Sequence, residues 1–199
     1  MSEKGTAHDT ADREMRPFDA LLHRGENHPR TRSMLVATAV LAHAPERERL
    51  REQFERASRT ALRLRQKVVV PTVPLVLPCW IVDPDFDLDH HLRFTRLRHG
   101  ASYEDLLGVV QHEVCARLDG DRPLWEAHLV EGLKGGAAAL VIKMSHAIAD
   151  GVGAQRLFEA IFSPRPEPPA EPMPPLPIPE DVTPEELTRS ALGRNALSL

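Results

Sequence analysis

The chain has 199 residues, 42% hydrophobic and 27% charged, which fits one soluble globular domain with or without a tail. A net charge of −4 and a pI near 6.2 exclude a general electrostatic case for nucleic acid as a partner. Two cysteines, Cys79 and Cys115, are too few for a disulfide framework and point to a reducing, cytoplasmic setting.

Residues 1–15 are small and charged, lack an apolar signal-peptide core and read as a disordered terminus. Order is expected to begin near Pro17-Phe18-Asp19-Ala20. The short apolar run Met34 to Leu41 favours a buried strand by its length and β-branched content, with a helical turn left open. Pro45 to about Leu64 reads as a helix. Pro45 suits its first turn, and Leu50, Phe54, Ala57 and Ala61 recur at helical spacing. Lys67 to Val82 is rich in Val and Pro, as strand pieces interrupted or kept at an edge by proline are. Asp83 to Asp89 is a turn-rich acidic loop, followed by an alternating strand from His91 to Arg98. His90 and His91 read as a solvent-facing pair, because no third metal ligand stands at recognisable spacing.

Ser102 to Leu118 is the clearest helix. Ser102 caps it, with Asp105 as a capping-box partner, and Leu106, Leu107, Val110, Val114 and Leu118 form its apolar face. His112 falls on the polar side, and Cys115 at the core or its boundary. A strand from Leu124 to Val130 and a glycine turn at Gly135-Gly136 follow. Ala137 to Met144 is continuously apolar except for Lys143, as a buried central strand is. Val152 to Phe162 reads as a helix. From Pro164 to Pro184 prolines exclude a continuous helix or central strand, so residues 164–199 read as a linker or tail with one short helix around residues 184–192. No apolar run is long enough to cross a bilayer, so any membrane contact is expected to be peripheral.

The segment Ser145-His146-Ala147-Ile148-Ala149-Asp150-Gly151 joins the apolar strand to the next helix. Rigid backbone on both sides suits such a loop to a reactive group. An imidazole there can take a proton near neutral pH. Asp150 can face the imidazole or anchor the loop, and Gly151 permits a backbone geometry that a side chain would block. A capped loop carrying a surface histidine fits the bare spacing equally well. A Ser-His-Asp hydrolase fits poorly: Ser145 and His146 are adjacent, and no Gly-x-Ser-x-Gly elbow exists.

Met144 to Gly151 resembles the His-His-x-x-x-Asp-Gly motif of the wax ester synthase/diacylglycerol acyltransferase family, related to condensation domains and the chloramphenicol-acetyltransferase-like fold. Arg122-Pro123-Leu124-Trp125-Glu126, followed by Val130-Glu131-Gly132-Leu133, is similar to the family's Pro-Leu-Trp block. Phe18-Asp19-Ala20 and Phe86-Asp87-Leu88-Asp89-His90-His91 are supporting stretches. The resemblance runs from about residue 15 to 163 and defines residues 16–163 as an N-terminal subdomain.

It implies His146 as catalytic base, with Ser145, Asp150 and Gly151 supporting the motif. Ser145 stands where the family has its first histidine. Pro123, Leu124 and Trp125 are implied as a structural or channel-lining block, with Trp125 an apolar anchor first. The implied fold is α/β: a two-layer sandwich with a mixed sheet and helices on one face. The implied reaction is acyl transfer from acyl-CoA to diacylglycerol or a long-chain alcohol, with no metal or cofactor. Family members are longer and place the active site between two similar subdomains. The resemblance therefore implies a separate chain, or further sequence, completing the site, and peripheral membrane or lipid-droplet contact. The other readings are a non-catalytic interaction module and a condensation-type domain fed by a carrier protein.

Overall fold

The structure, a computed structural model, describes residues 13–26, 28, 30–32, 34–74, 76–148, 158, 161–162 and 172–197. In chain order its elements are helix α1 (Pro17–Glu26), strand β1 (Met34–Leu41), helix α2 (Arg47–Thr60), a 3-10 turn (Leu62–Arg65), β2 (Gln66–Val69) and β3 (Cys79–Val82). A single helical turn α3 (Leu88–His91) leads into β4 (Leu92–Ala101), α4 (Tyr103–Cys115), β5 (Trp125–Leu133), β6 (Ala138–Ser145) and α5 (Pro184–Leu197).

Among the described residues the main sheet has four strands in the order β1-β6-β5-β4. Strand β6 runs antiparallel to both neighbours, whereas β4 and β5 are parallel, so the sheet is mixed as expected. A parallel pair needs a crossover, and α4 lies in it. Every residue of β6 is buried, as its apolar run predicted.

A strand buried along its whole length needs cover on both faces. Leu50 and Phe54 of α2 cluster with Trp125, Ala127, Leu129, Leu140 and Ile142 on one face. Leu106 of α4 clusters with Val130, Ala139 and Val141 on the other. The mixed α/β architecture holds, but the helices cover both faces, and the expected one-sided two-layer arrangement is corrected accordingly.

The β5–β6 hairpin requires glycine at one position above all. Gly132 has φ +99°, and a Cβ there would stand 2.5 Å from the Leu97 carbonyl oxygen. Glycine alone meets both conditions, which explains its place in the Val130-Glu131-Gly132-Leu133 block.

Strands β2 and β3 form a second, antiparallel sheet, with Pro71, Pro74 and Pro78 confined to their connection. Alternation gives it two apolar faces. Val68 and Trp80 cluster with Met15, Leu124 and Ala147, while Cys79 and Ile81 cluster with Leu187 of α5. Two terminal expectations change as a result. Met15, read as part of a disordered terminus, is buried and donates its backbone N–H to Pro78 O at 2.8 Å. The tail helix runs on to Leu197 and docks: Leu187 is buried, and Thr188 meets Thr72 at 2.9 Å.

Helix α4 carries the expected capping box, with Ser102 and Asp105 bonded reciprocally. Its buried face differs from the expected one. Leu107 and Val114 are 46% and 48% exposed, Glu113 is buried and Cys115 is exposed. The cause lies beneath the helix. Lys143 of β6 is 1% exposed and needs anions, and Glu113 and Glu126 stand 3.4 and 3.0 Å from its Nζ. Burial raises the Glu113 pKa, but Lys143 and His128 outweigh it and hold the carboxyl below its ordinary range. The expected helix over residues 152–162 lies largely outside the described residues.

Candidate active site

The site begins where β6 ends. Ser145 N–H donates to Leu124 O at 3.0 Å, one step beyond the register pair Trp125 and Met144. The Pro-Leu-Trp block thus holds the backbone of the histidine segment directly, and Leu124 also packs in one cluster with Ala147. Residues 146–148 form a turn closed by Ile148 N–H donating to Ser145 O at 3.1 Å. His146 sits in that turn, partly exposed. Asp150 and Gly151 lie outside the described residues.

Ser145 is fully buried. Its hydroxyl donates to Glu26 Oε1 at 2.5 Å and accepts the Ala147 N–H at 2.9 Å. The backbone N–H of His146 lies near the same carboxylate and favours its charged form. Burial raises the Glu26 pKa; Ser145, His146 and Arg32 oppose that shift. Sequence reasoning missed Glu26, which closes α1 more than a hundred residues before the motif with no spacing relation to it. A pocket of about 70 Å³ beside it is lined by His23, Glu26, Arg32, Met34, Arg117, Leu118, Gly120 and Leu124.

Pro123, Leu124 and Trp125 are all buried. Trp125 is 1% exposed, donates Nε1–H to Leu64 O at 2.8 Å and stacks on Phe54 at 5.6 Å. These contacts hold Trp125 in the core. On its other side Trp125 stacks on His91 at 4.7 Å, and His91 stacks on Phe86 at 5.2 Å.

That stack corrects the solvent-facing reading of the histidine pair. His91 is fully buried and its Nδ1 lies 2.7 Å from Trp125 O, while His90 is partly buried. A carbonyl only accepts, so Nδ1 carries the proton and donates. Burial, with smaller effects from His90 and Arg122, outweighs that bond and lowers the His91 pKa to about 4. Leu88 and His91 of the supporting stretch are therefore core residues, and the His91 and Phe86 rings back Trp125. Among the described residues no group of three or more His, Cys, Asp or Glu side chains is arranged to hold a metal ion.

Fold and turn together define the class. The chain resembles a starter condensation domain of rhizomide synthetase in complex with C8-CoA (TM-score 0.62, 12% identity, 78% of this chain and 36% of that one). It also resembles the first condensation domain of the CDA synthetase (TM-score 0.60, 13% identity, 77% and 39%). At these identities the likeness establishes the fold: half of the condensation-domain, chloramphenicol-acetyltransferase-like architecture.

Within that class the chain belongs to the wax ester synthase/diacylglycerol acyltransferase catalytic-domain family, whose profile matches residues 7–198. A solved relative is the wax ester synthase/diacylglycerol acyltransferase from Marinobacter aquaeolei VT8, at TM-score 0.62 and 27% identity, matched over 93% of this chain and 45% of that one. A Mycobacterium tuberculosis protein, whose diacylglycerol O-acyltransferase name is itself provisional, is 46% identical over 175 residues. That match covers 88% of this chain and 35% of the relative, so the sequence spans about a third of the curated protein's length.

Proposed function

We propose that the chain is the histidine-bearing half of an acyl-CoA-dependent O-acyltransferase, with His146 as general base. The observation that carries this reading is the placement of His146 in a turn fixed at the end of a fully buried strand and tied to the Pro-Leu-Trp block. Family membership supplies the reaction class.

The His146 imidazole takes the hydroxyl proton of a diacylglycerol or long-chain alcohol. The alcohol oxygen attacks the thioester carbonyl of acyl-CoA and the C–S bond breaks. The imidazolium returns its proton to the departing thiolate, giving an ester and free CoA. General-base help of this kind contributes on the order of 10²–10⁴-fold, and holding the two substrates in register supplies much of the rest. A partly exposed histidine on one subdomain suits a channel closed by a second subdomain. Asp150 and Gly151 are assigned to loop anchoring and backbone geometry. Contact with a membrane or lipid droplet is peripheral in this reading.

The fold likeness to condensation domains favours one second reading, an acyl donor carried on a carrier protein. One assay separates them. The chain, with the complementary half supplied, is given an alcohol and either palmitoyl-CoA or a palmitoyl-carrier protein, and ester is quantified by mass spectrometry. Ester from the CoA thioester alone supports the proposal. Ester from the carrier thioester alone replaces it.

A further inference from the structure

We infer that Glu26 is the positioning residue of the histidine turn, holding His146 in place through the buried hydroxyl of Ser145. The inference rests on the reading of His146 as the base.

Two bonds in series fix the turn around this group. Glu26 accepts the Ser145 hydroxyl at 2.5 Å, and Ser145 Oγ in turn accepts the Ala147 N–H at 2.9 Å. The His146 N–H lies near the same carboxylate and favours its charged form. Backbone donors at the end of a buried strand need partners, and the glutamate orients the serine that supplies one. The family motif carries a histidine at position 145. The serine here is short and fully buried, and it passes the constraint on to α1. Ser145 in place of histidine therefore does not leave the turn loose; it transfers the anchoring of the turn to Glu26.

The arrangement depends on charge. An ionised carboxylate is acceptor-only and matches the Ser145 hydroxyl donor, whereas a protonated one must itself donate. Burial raises the Glu26 pKa, so the turn loses this match at a higher pH than an ordinary glutamate would allow. The titratable groups that line the small pocket with Glu26 are His23 on the same helix, Arg32 and Arg117. Arg32 acts on Glu26 through its charge and is itself bonded to Cys115 O at 3.0 Å, at the end of α4. The turn is tied to α1 through Ser145.

The test is an NMR titration of the isotope-labelled 199-residue chain between pH 7 and pH 3.5. In the wild type, the His146 and Ala147 amide protons shift with the same inflection as the Glu26 side-chain carboxyl carbon, above the ordinary value of 4.5. Glu26→Gln keeps an acceptor, so His146 amide exchange remains slow while that inflection disappears. Glu26→Ala speeds exchange of the His146 and Ala147 amides at least about tenfold. A wild-type His146 amide that ignores the Glu26 titration overturns the inference. So does unchanged exchange in a cooperatively folded Glu26→Ala chain. If Glu26→Ala fails to fold, the wild-type titration and Glu26→Gln decide. These signals do not depend on catalysis. An intact titration beside CoA release that is indifferent to His146→Ala would sink only the base assignment. The converse result would sink only the positioning role.

Discussion

His91 and Lys143 show how single residues fix this fold. Burial lowers the His91 pKa from 6.5 to about 4. Between those values the unfolded chain binds more protons than the folded one, so stability rises with pH across the window and is lost as pH falls through it. One pKa unit is worth about 1.4 kcal/mol, so this group contributes at most about 3 kcal/mol to that loss. Urea unfolding at pH 4.5 and pH 7 should show a smaller pH difference in His91→Phe than in wild type; equal differences would contradict the burial of a neutral imidazole. Lys143 is tested by charge removal. Lys143→Met strands Glu113 and Glu126 without their buried cation and should cost about 3–5 kcal/mol, read from the urea midpoint. Adding Glu113→Gln should recover part of it.

The elements divide into those the sequence discloses and those it conceals. Strand β6 was legible because eight buried residues in a row leave a continuous apolar run, and α4 was legible at its start because the Ser102–Asp105 cap is local. The inward face of α4 was not legible: Glu113 turns inward to meet a lysine thirty residues away, and no helical periodicity records that partner. Strand β4 was read one residue early at His91, whose imidazole belongs to a ring stack assembled from three separate segments. The β5–β6 hairpin yields a graded prediction. Gly132→Ala meets both a positive φ and the Leu97 carbonyl, whereas Gly135→Ala meets a positive φ of 71° with open space around it. Gly135→Ala should cost about 1–2 kcal/mol and Gly132→Ala clearly more by thermal unfolding. Equal costs would contradict the close approach.

At the scale of the whole molecule, two sequence blocks named for their resemblance prove to be physically one unit. Leu124 O takes the Ser145 N–H, Trp125 builds the core beside it, and His146 stands in the turn that follows. The histidine and its block were legible because each is a short contiguous motif. Glu26 was not, because its role exists only once α1 packs beside the end of β6. Cover on both sheet faces was implicit in β6, apolar but for Lys143 and Ser145 and buried throughout, yet it becomes explicit only when α2 and α4 are seen on opposite sides. The sequence spans about a third of its mycobacterial relative, and the proposed base His146 belongs to half of an active site.

That claim is tested most directly by CoA thiol release from palmitoyl-CoA in the presence of diacylglycerol, comparing wild type with His146→Ala, each with the complementary half supplied. The account predicts a loss in rate on the order of 10²–10⁴-fold, with the thermal unfolding midpoint unchanged. Thiol release at the wild-type rate in a folded His146→Ala chain would contradict it.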